Sequence, residues 1–102
     1  MIIYNVTINI DLEVEQEWLR WMKEVHVPEV MSTGLFVSSR IYKVLADDDG
    51  GTTYAIQYTC ASMEAYERYR DEHAPRLQAE TQRNYGGRFV AFRTLLEAVH
   101  PV

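Results

Sequence analysis

Cysteine is nearly absent: Cys60 stands alone in 102 residues. No internal disulfide can form, so a reducing, cytoplasmic setting is expected. No apolar run approaches the ~18 residues of a membrane-spanning helix, and no membrane partner is expected. The start, Met1-Ile2-Ile3-Tyr4-Asn5-Val6, lacks the basic region and small-residue cleavage site of a secretory signal. Positive charge is scarce, with ten Lys and Arg against fifteen Asp and Glu for a net charge of −5. That sign argues against a nucleic-acid partner. The chain has no G-x-G-x-x-G, P-loop or G-x-S-x-G motif, and no cofactor is implied. Its three histidines and one cysteine are scattered, without zinc-ligand spacing. Asp47, Asp48 and Asp49 are contiguous where a calcium loop alternates its ligands, so a turn is the better account and no metal is expected.

A repeat is present instead. Ile2, Tyr4, Val6, Ile8 and Ile10 alternate with Ile3, Asn5, Thr7 and Asn9, the period of a half-buried strand. Asp11 is placed to cap the helix after it, with Glu13, Glu15 and Glu17 favourable near its N-terminus. On that helix Val14, Trp18, Trp21, Met22 and Val25 fall within a wedge of about 100°, the width of a core-facing stripe. Pro28 interrupts the pattern and Gly34 stops it. Leu35 to Ala46 reads as a second strand, Asp47 to Gly51 as a hairpin turn, and Thr52 to Cys60 as a third strand. Ser62 caps a second helix, which Pro75 breaks before a continuation through Leu77 to Tyr85. Arg88 to Ala98 is the fourth strand.

The two halves match. Tyr4–Ile10 aligns with Tyr54–Cys60, and His26-Val27-Pro28 aligns with His73-Ala74-Pro75. Each half is strand, helix, His-x-Pro break, strand, a repeat over 2–46 and 52–98 within one domain of residues 1–102. Two such units meeting in one four-stranded antiparallel sheet predict an α+β, ferredoxin-like βαββαβ fold with both helices on one face.

The other face is then open. On the central strands it carries Asn5, Thr7, Asn9, Thr53, Gln57 and Thr59, and the flanking strands are expected to add Ser38, Arg40, Tyr42, Phe89, Ala91 and Arg93. Polar, carboxylate-poor and holding two arginines, this face suits a small, anionic organic ligand bound by Asn5, Thr7, Asn9, Arg40, Gln57 and Arg93. It equally suits a solvated surface or a polar homodimer seam. Central-strand aromatics, which RNA-reading ferredoxin-like domains use, are missing there.

His73 lies one turn after Tyr69 and two after Tyr66, just before the Pro75 break. A histidine beside tyrosine hydroxyls can act as a general base, with Tyr66 or Tyr69 hydrogen-bonding the substrate. The alternative is a structural ring that bonds carbonyls released at the break, and the repetition of His26 in the first half favours it.

Four stretches, 18–28, 51–58, 73–77 and 89–96, resemble a bacterial family of domains of unknown function of about this length. More distantly, His-x-Pro at a helix end resembles the dimeric α/β-barrel superfamily. The resemblance implies a homodimer whose open sheets pack together around a cavity. It also implies a function among cofactor-independent monooxygenases, cyclases, isomerases, haem-degrading enzymes and binding proteins. Asn5 and His73 match residues of the haem-degrading members, but tyrosine replaces their tryptophan, which argues against haem.

Overall fold

The computed structural model describes residues 1–46 and 50–101. The chain runs β1 (Ile2–Ile10), α1 (Glu15–Trp21), a π-helical turn (Met22–His26) and α2 (Val27–Ser32), then β2 (Ser38–Lys43) and β3 (Thr52–Cys60). It closes with α3 (Met63–Glu72), α4 (Ala74–Tyr85) and β4 (Phe89–Glu97). The sheet order is β2-β3-β1-β4 and every pairing is antiparallel. β1 and β3 are therefore central neighbours, and the fold is the ferredoxin-like one the repeat predicts. The turn expected at Asp47 to Asp49 lies outside the described residues. No described helix is long and apolar enough to cross a membrane.

Alternation on the central strands is resolved as expected. Tyr4, Ile8, Ile10, Tyr54, Ile56, Tyr58 and Cys60 are buried under the helices with Trp18, Val30 and Leu77. Ser62 caps α3 by accepting from the Ala65 amide at 3.2 Å, and the Pro75 break separates α3 from α4 at His73. β2 is shorter than the expected Leu35–Ala46, because Phe36 turns into the core against Tyr58 and Tyr69.

The first helix departs from its pattern in three ways. Asp11 does not cap it: Oδ1 accepts from the Glu13 amide and Oδ2 from Arg88 Nε, both at 3.0 Å. Pro28 does not end it either. Proline lacks a donor and its ring crowds the carbonyl one turn back. Widening that turn to π geometry over Met22–His26 makes room, and Pro28 enters the first turn of α2, where its missing N–H is harmless. Third, the inserted residue rotates the rest of the helix by about 100°. Val25, expected to face inward, is 38% exposed, while Val30 is fully buried. His26 takes the inward place.

The fourth strand settles its faces through pairing. Residues directly opposite in an antiparallel ladder share a face. Phe89 lies opposite Ile10, Ala91 opposite Ile8 and Arg93 opposite Val6. These three therefore sit on the helix-covered face, not on the open face where they were expected. Val90, Phe92, Thr94 and Leu96 take the open face instead. Phe-Val-Ala-Phe-Arg-Thr-Leu-Leu is apolar on both alternating sets, so its composition does not select between the two phases.

Candidate functional site

Between the covered sheet face and the helices lies a cavity of about 40 Å³. Trp18, Met22, Ile56, Tyr58, Tyr69 and Leu77 form its apolar walls, and His26, Gln78, Thr81 and Arg93 its polar ones. A water needs roughly 10–15 Å³ of such space, so about three fit. Gln78, Thr81, Phe89, Ala91 and Arg93 also line a groove of about 390 Å³ between α4 and β4. A larger depression of about 620 Å³ lies at one sheet end. Its charges are already satisfied, since Arg88 pairs with Asp11 and Glu13 at 3.0 Å each.

Among the described residues, two buried side-chain polar atoms lack a hydrogen-bond partner, Trp18 Nε1 and His26 Nδ1. Both belong to cavity-lining residues. The His26 ring stacks on Trp21 at 5.0 Å. Burial pushes its pKa down to about 4, the Glu80 carboxylate opposing and Arg93 reinforcing, so the imidazole is neutral near pH 7. Arg93 Nε donates to Tyr4 Oη at 3.0 Å, and among the described residues Arg93 forms no ion pair. Burial raises the pKa values of Tyr58, Tyr66 and Tyr69 and keeps these phenols protonated. No described cluster of His, Cys, Asp or Glu has the geometry to hold a metal ion.

A buried carboxylate fixes one wall. Glu15, 9% exposed, accepts from Tyr54 Oη at 2.6 Å and Thr52 Oγ1 at 2.8 Å. These bonds tie α1 to β3, and Trp18, one turn on, packs against Tyr54 at 5.2 Å.

The anticipated site residues divide between the two sides of the sheet. Tyr69 lines the cavity; Tyr66 packs on Tyr4 at 5.3 Å, outside the lining. His73 stays near Tyr69, with ring centroids 6.4 Å apart, but it sits at the junction of α3 and α4, 3.4 Å from Arg76, and does not line the cavity. Asn5, Thr7, Asn9, Gln57 and Arg40 share the open face as expected. Several satisfy one another: Asn5 Nδ2 donates to Thr7 at 3.0 Å, Gln57 Nε2 to Asn5 at 3.2 Å, and Asn9 Nδ2 to Thr53 at 3.1 Å. Arg93 alone of the six crosses to the cavity side. His26, which the repeat aligns with His73, lines the cavity where His73 does not.

The family model that describes a domain of unknown function, DUF4286, matches residues 1–99. The chain belongs to this family. No curated protein matches it. Among solved structures, HapK from Hahella chejuensis superposes with a TM-score of 0.74 at 10% identity, covering 100% of this chain and 96% of that one. A dimeric ferredoxin-like protein from an uncultured marine organism gives 0.73 at 13% identity, covering 100% and 98%. An antibiotic biosynthesis monooxygenase gives 0.66 at 16% identity, covering 97% and 99%. Likeness at such identities shows the fold alone, the ferredoxin-like fold of dimeric α/β-barrel proteins.

Proposed function

We propose that this DUF4286 protein binds a compact organic anion in the cavity beneath its helices, and does so as a homodimer joined through the open sheet faces. The observation that carries the ligand reading is the coincidence, in one cavity, of two buried polar atoms without partners and an arginine without a carboxylate. Buried polar groups are almost always hydrogen-bonded, so Trp18 Nε1 and His26 Nδ1 call for a guest that water or a ligand supplies. Arg93 at the mouth favours a carboxylate on that guest, since a guanidinium matches its geometry. The aromatic walls favour an apolar body, inserted as Gln78 and Thr81 give way on the groove side.

The homodimer rests on the other face. Val90 is 72% exposed and Phe92 63%, beside the hydrogen-bonded row of Asn5, Thr7 and Gln57. An apolar strip next to satisfied polar groups suits a buried seam better than solvent. The dimeric neighbour supports the same arrangement. On this reading Asn5, Thr7, Asn9, Arg40 and Gln57 serve the seam, while Arg93 and Tyr69 serve the ligand.

Saturation-transfer NMR with benzoate and its neutral isostere benzamide tests the site. Benzoate is expected to bind better than benzamide, and Arg93→Ala to abolish the preference. Absence of binding by both probes refutes the ligand reading.

A further inference from the structure

One edge of the sheet is β4, and half of its backbone is unused. At the two ends of the β1–β4 ladder, Asp11 N–H donates to the Arg88 carbonyl at 2.9 Å and Ala98 N–H to the Met1 carbonyl at 3.2 Å. Bonded and non-bonded pairs alternate along an antiparallel ladder. Val90, Phe92, Thr94 and Leu96 therefore bond to β1, while Phe89, Ala91, Arg93, Leu95 and Glu97 turn their N–H and C=O groups away from it. β4 is the last strand in the sheet order, and no described backbone group pairs with that outer row. Native sheets blunt an edge with proline, lysine, a bulge or a short strand. β4 has none of these: it pairs with β1 over nine consecutive residues and holds neither proline nor lysine. β2, the opposite edge, is six residues long and carries Arg40 and Lys43.

The groove of about 390 Å³ adjoins this row, since Phe89, Ala91 and Arg93 line it from β4. From α4 come Pro75, Gln78, Ala79 and Gln82, whose i, i+3, i+4, i+7 spacing is one helix face. The charged residues of α4, Arg76, Glu80 and Arg83, are not part of that lining. The helix thus offers the groove a small apolar centre at Ala79 between two amide side chains. The chain as a whole carries a net charge of −5, yet the one charged residue lining the groove is a cation. Arg93 forms no ion pair among the described residues. Its Nε is held by Tyr4 Oη at 3.0 Å, which leaves the Nη ends for a carboxylate.

We propose that β4 and α4 form a docking groove for an extended peptide segment of another protein, added to the sheet as a fifth strand beside β4. Strand addition draws its affinity from main-chain hydrogen bonds and its specificity from alternate side chains. Here the outer N–H and C=O groups of Ala91, Arg93 and Leu95 supply the bonds. Residues opposite one another in a ladder share a face, so every second side chain of the segment enters the groove. Those opposite Phe89 and Ala91 are apolar, and the one opposite Arg93 is Asp or Glu. The open-face seam uses the side chains of Val90 and Phe92, and leaves this edge free in the homodimer. Arg93 is the one functional residue shared with the anion-binding reading, on which the proposal does not otherwise depend.

The probe is a blocked, fluorescently labelled heptapeptide, Thr-Val-Thr-Glu-Thr-Val-Thr, whose symmetry presents the same groove-facing set in either strand direction. Anisotropy reads its affinity, and amide NMR shifts read its place. The wild-type chain should bind it with shifts centred on Ala91, Arg93 and Leu95. Glutamine in place of the glutamate should weaken binding about two- to fivefold, the range of an exposed ion pair, and Arg93→Ala should erase that difference. Two N-methylated versions test the strand pairing, one blocked at the threonines and one at the valines and glutamate. Only one set of amides faces β4, so one version should bind and the other should not. Ala79→Trp, at an exposed position, should fill the groove and abolish binding. No binding of the parent peptide, equal binding of both N-methylated versions, or unchanged binding by Ala79→Trp overturns the proposal. So does a wild-type chain that sediments as more than a dimer and excludes the peptide, because a further copy then holds the edge. Peptide binding without benzoate binding leaves this inference standing and removes the anion reading; the reverse removes this inference alone.

Discussion

Replacing Tyr54 by Phe isolates the bond that seats the first helix on the sheet. The ring stays, so packing against Trp18 is conserved, and only the hydroxyl that donates to Glu15 at 2.6 Å is lost. A hydrogen bond to a charged group contributes about 1.5–3 kcal/mol net. Glu15 keeps Thr52 at 2.8 Å, so the loss should sit near the lower end, about 2 kcal/mol. For a domain of this size 1 kcal/mol moves the melting temperature by about 4–8 °C, and a fall of roughly 8–16 °C is expected. The pH dependence adds a second check. Hydrogen bonds from Tyr54 and then Thr52 hold the Glu15 carboxyl below its ordinary 4.5. Such a group stabilises the fold above its unfolded pKa and loses that contribution as pH falls through the folded one. Melting curves by circular dichroism at pH 7 and pH 3 should therefore show the gap between wild type and Tyr54→Phe narrowing in acid. A shift under about 2 °C at pH 7, or an equal gap at both pH values, refutes the reasoning.

Two further predictions concern the sheet and the cavity. Phe92→Asp places a charge on the exposed apolar strip of the open face; sedimentation velocity should find the wild-type chain dimeric and the variant monomeric, and a monomeric wild type or an unchanged dimer in the variant would remove the open face as the seam. His26, with its pKa pushed down from 6.5 to about 4, stays neutral in the fold while the unfolded chain takes up a proton. Stability should therefore fall as pH drops from 6.5 to 4, by roughly 3 kcal/mol. Denaturant titrations of wild type and His26→Gln should show this acid sensitivity lost in the variant.

The strands β1 and β3, their buried faces, the Ser62 cap and the break at Pro75 were legible because each rests on local chemistry. Strict alternation of β-branched and aromatic residues with Asn, Thr and Gln leaves one choice of buried side. Glu15 was legible only in part. Its place near a helix start predicted a favourable carboxylate, but its partner Tyr54 lies 39 residues away in sequence and meets it only through the fold.

The sequence by itself determined the fold class: the duplicated strand–helix–strand pattern leaves few topologies that bury both apolar stripes on one sheet face. Tertiary structure decided the site. A helical wheel assumes 3.6 residues per turn, so it could not foresee that accommodating Pro28 inserts a residue and exchanges Val25 for His26. The alternation of β4 fixes a period but no phase when both sets are apolar. Only its pairing with β1 carried Arg93 to the cavity and left Phe92 on the open face.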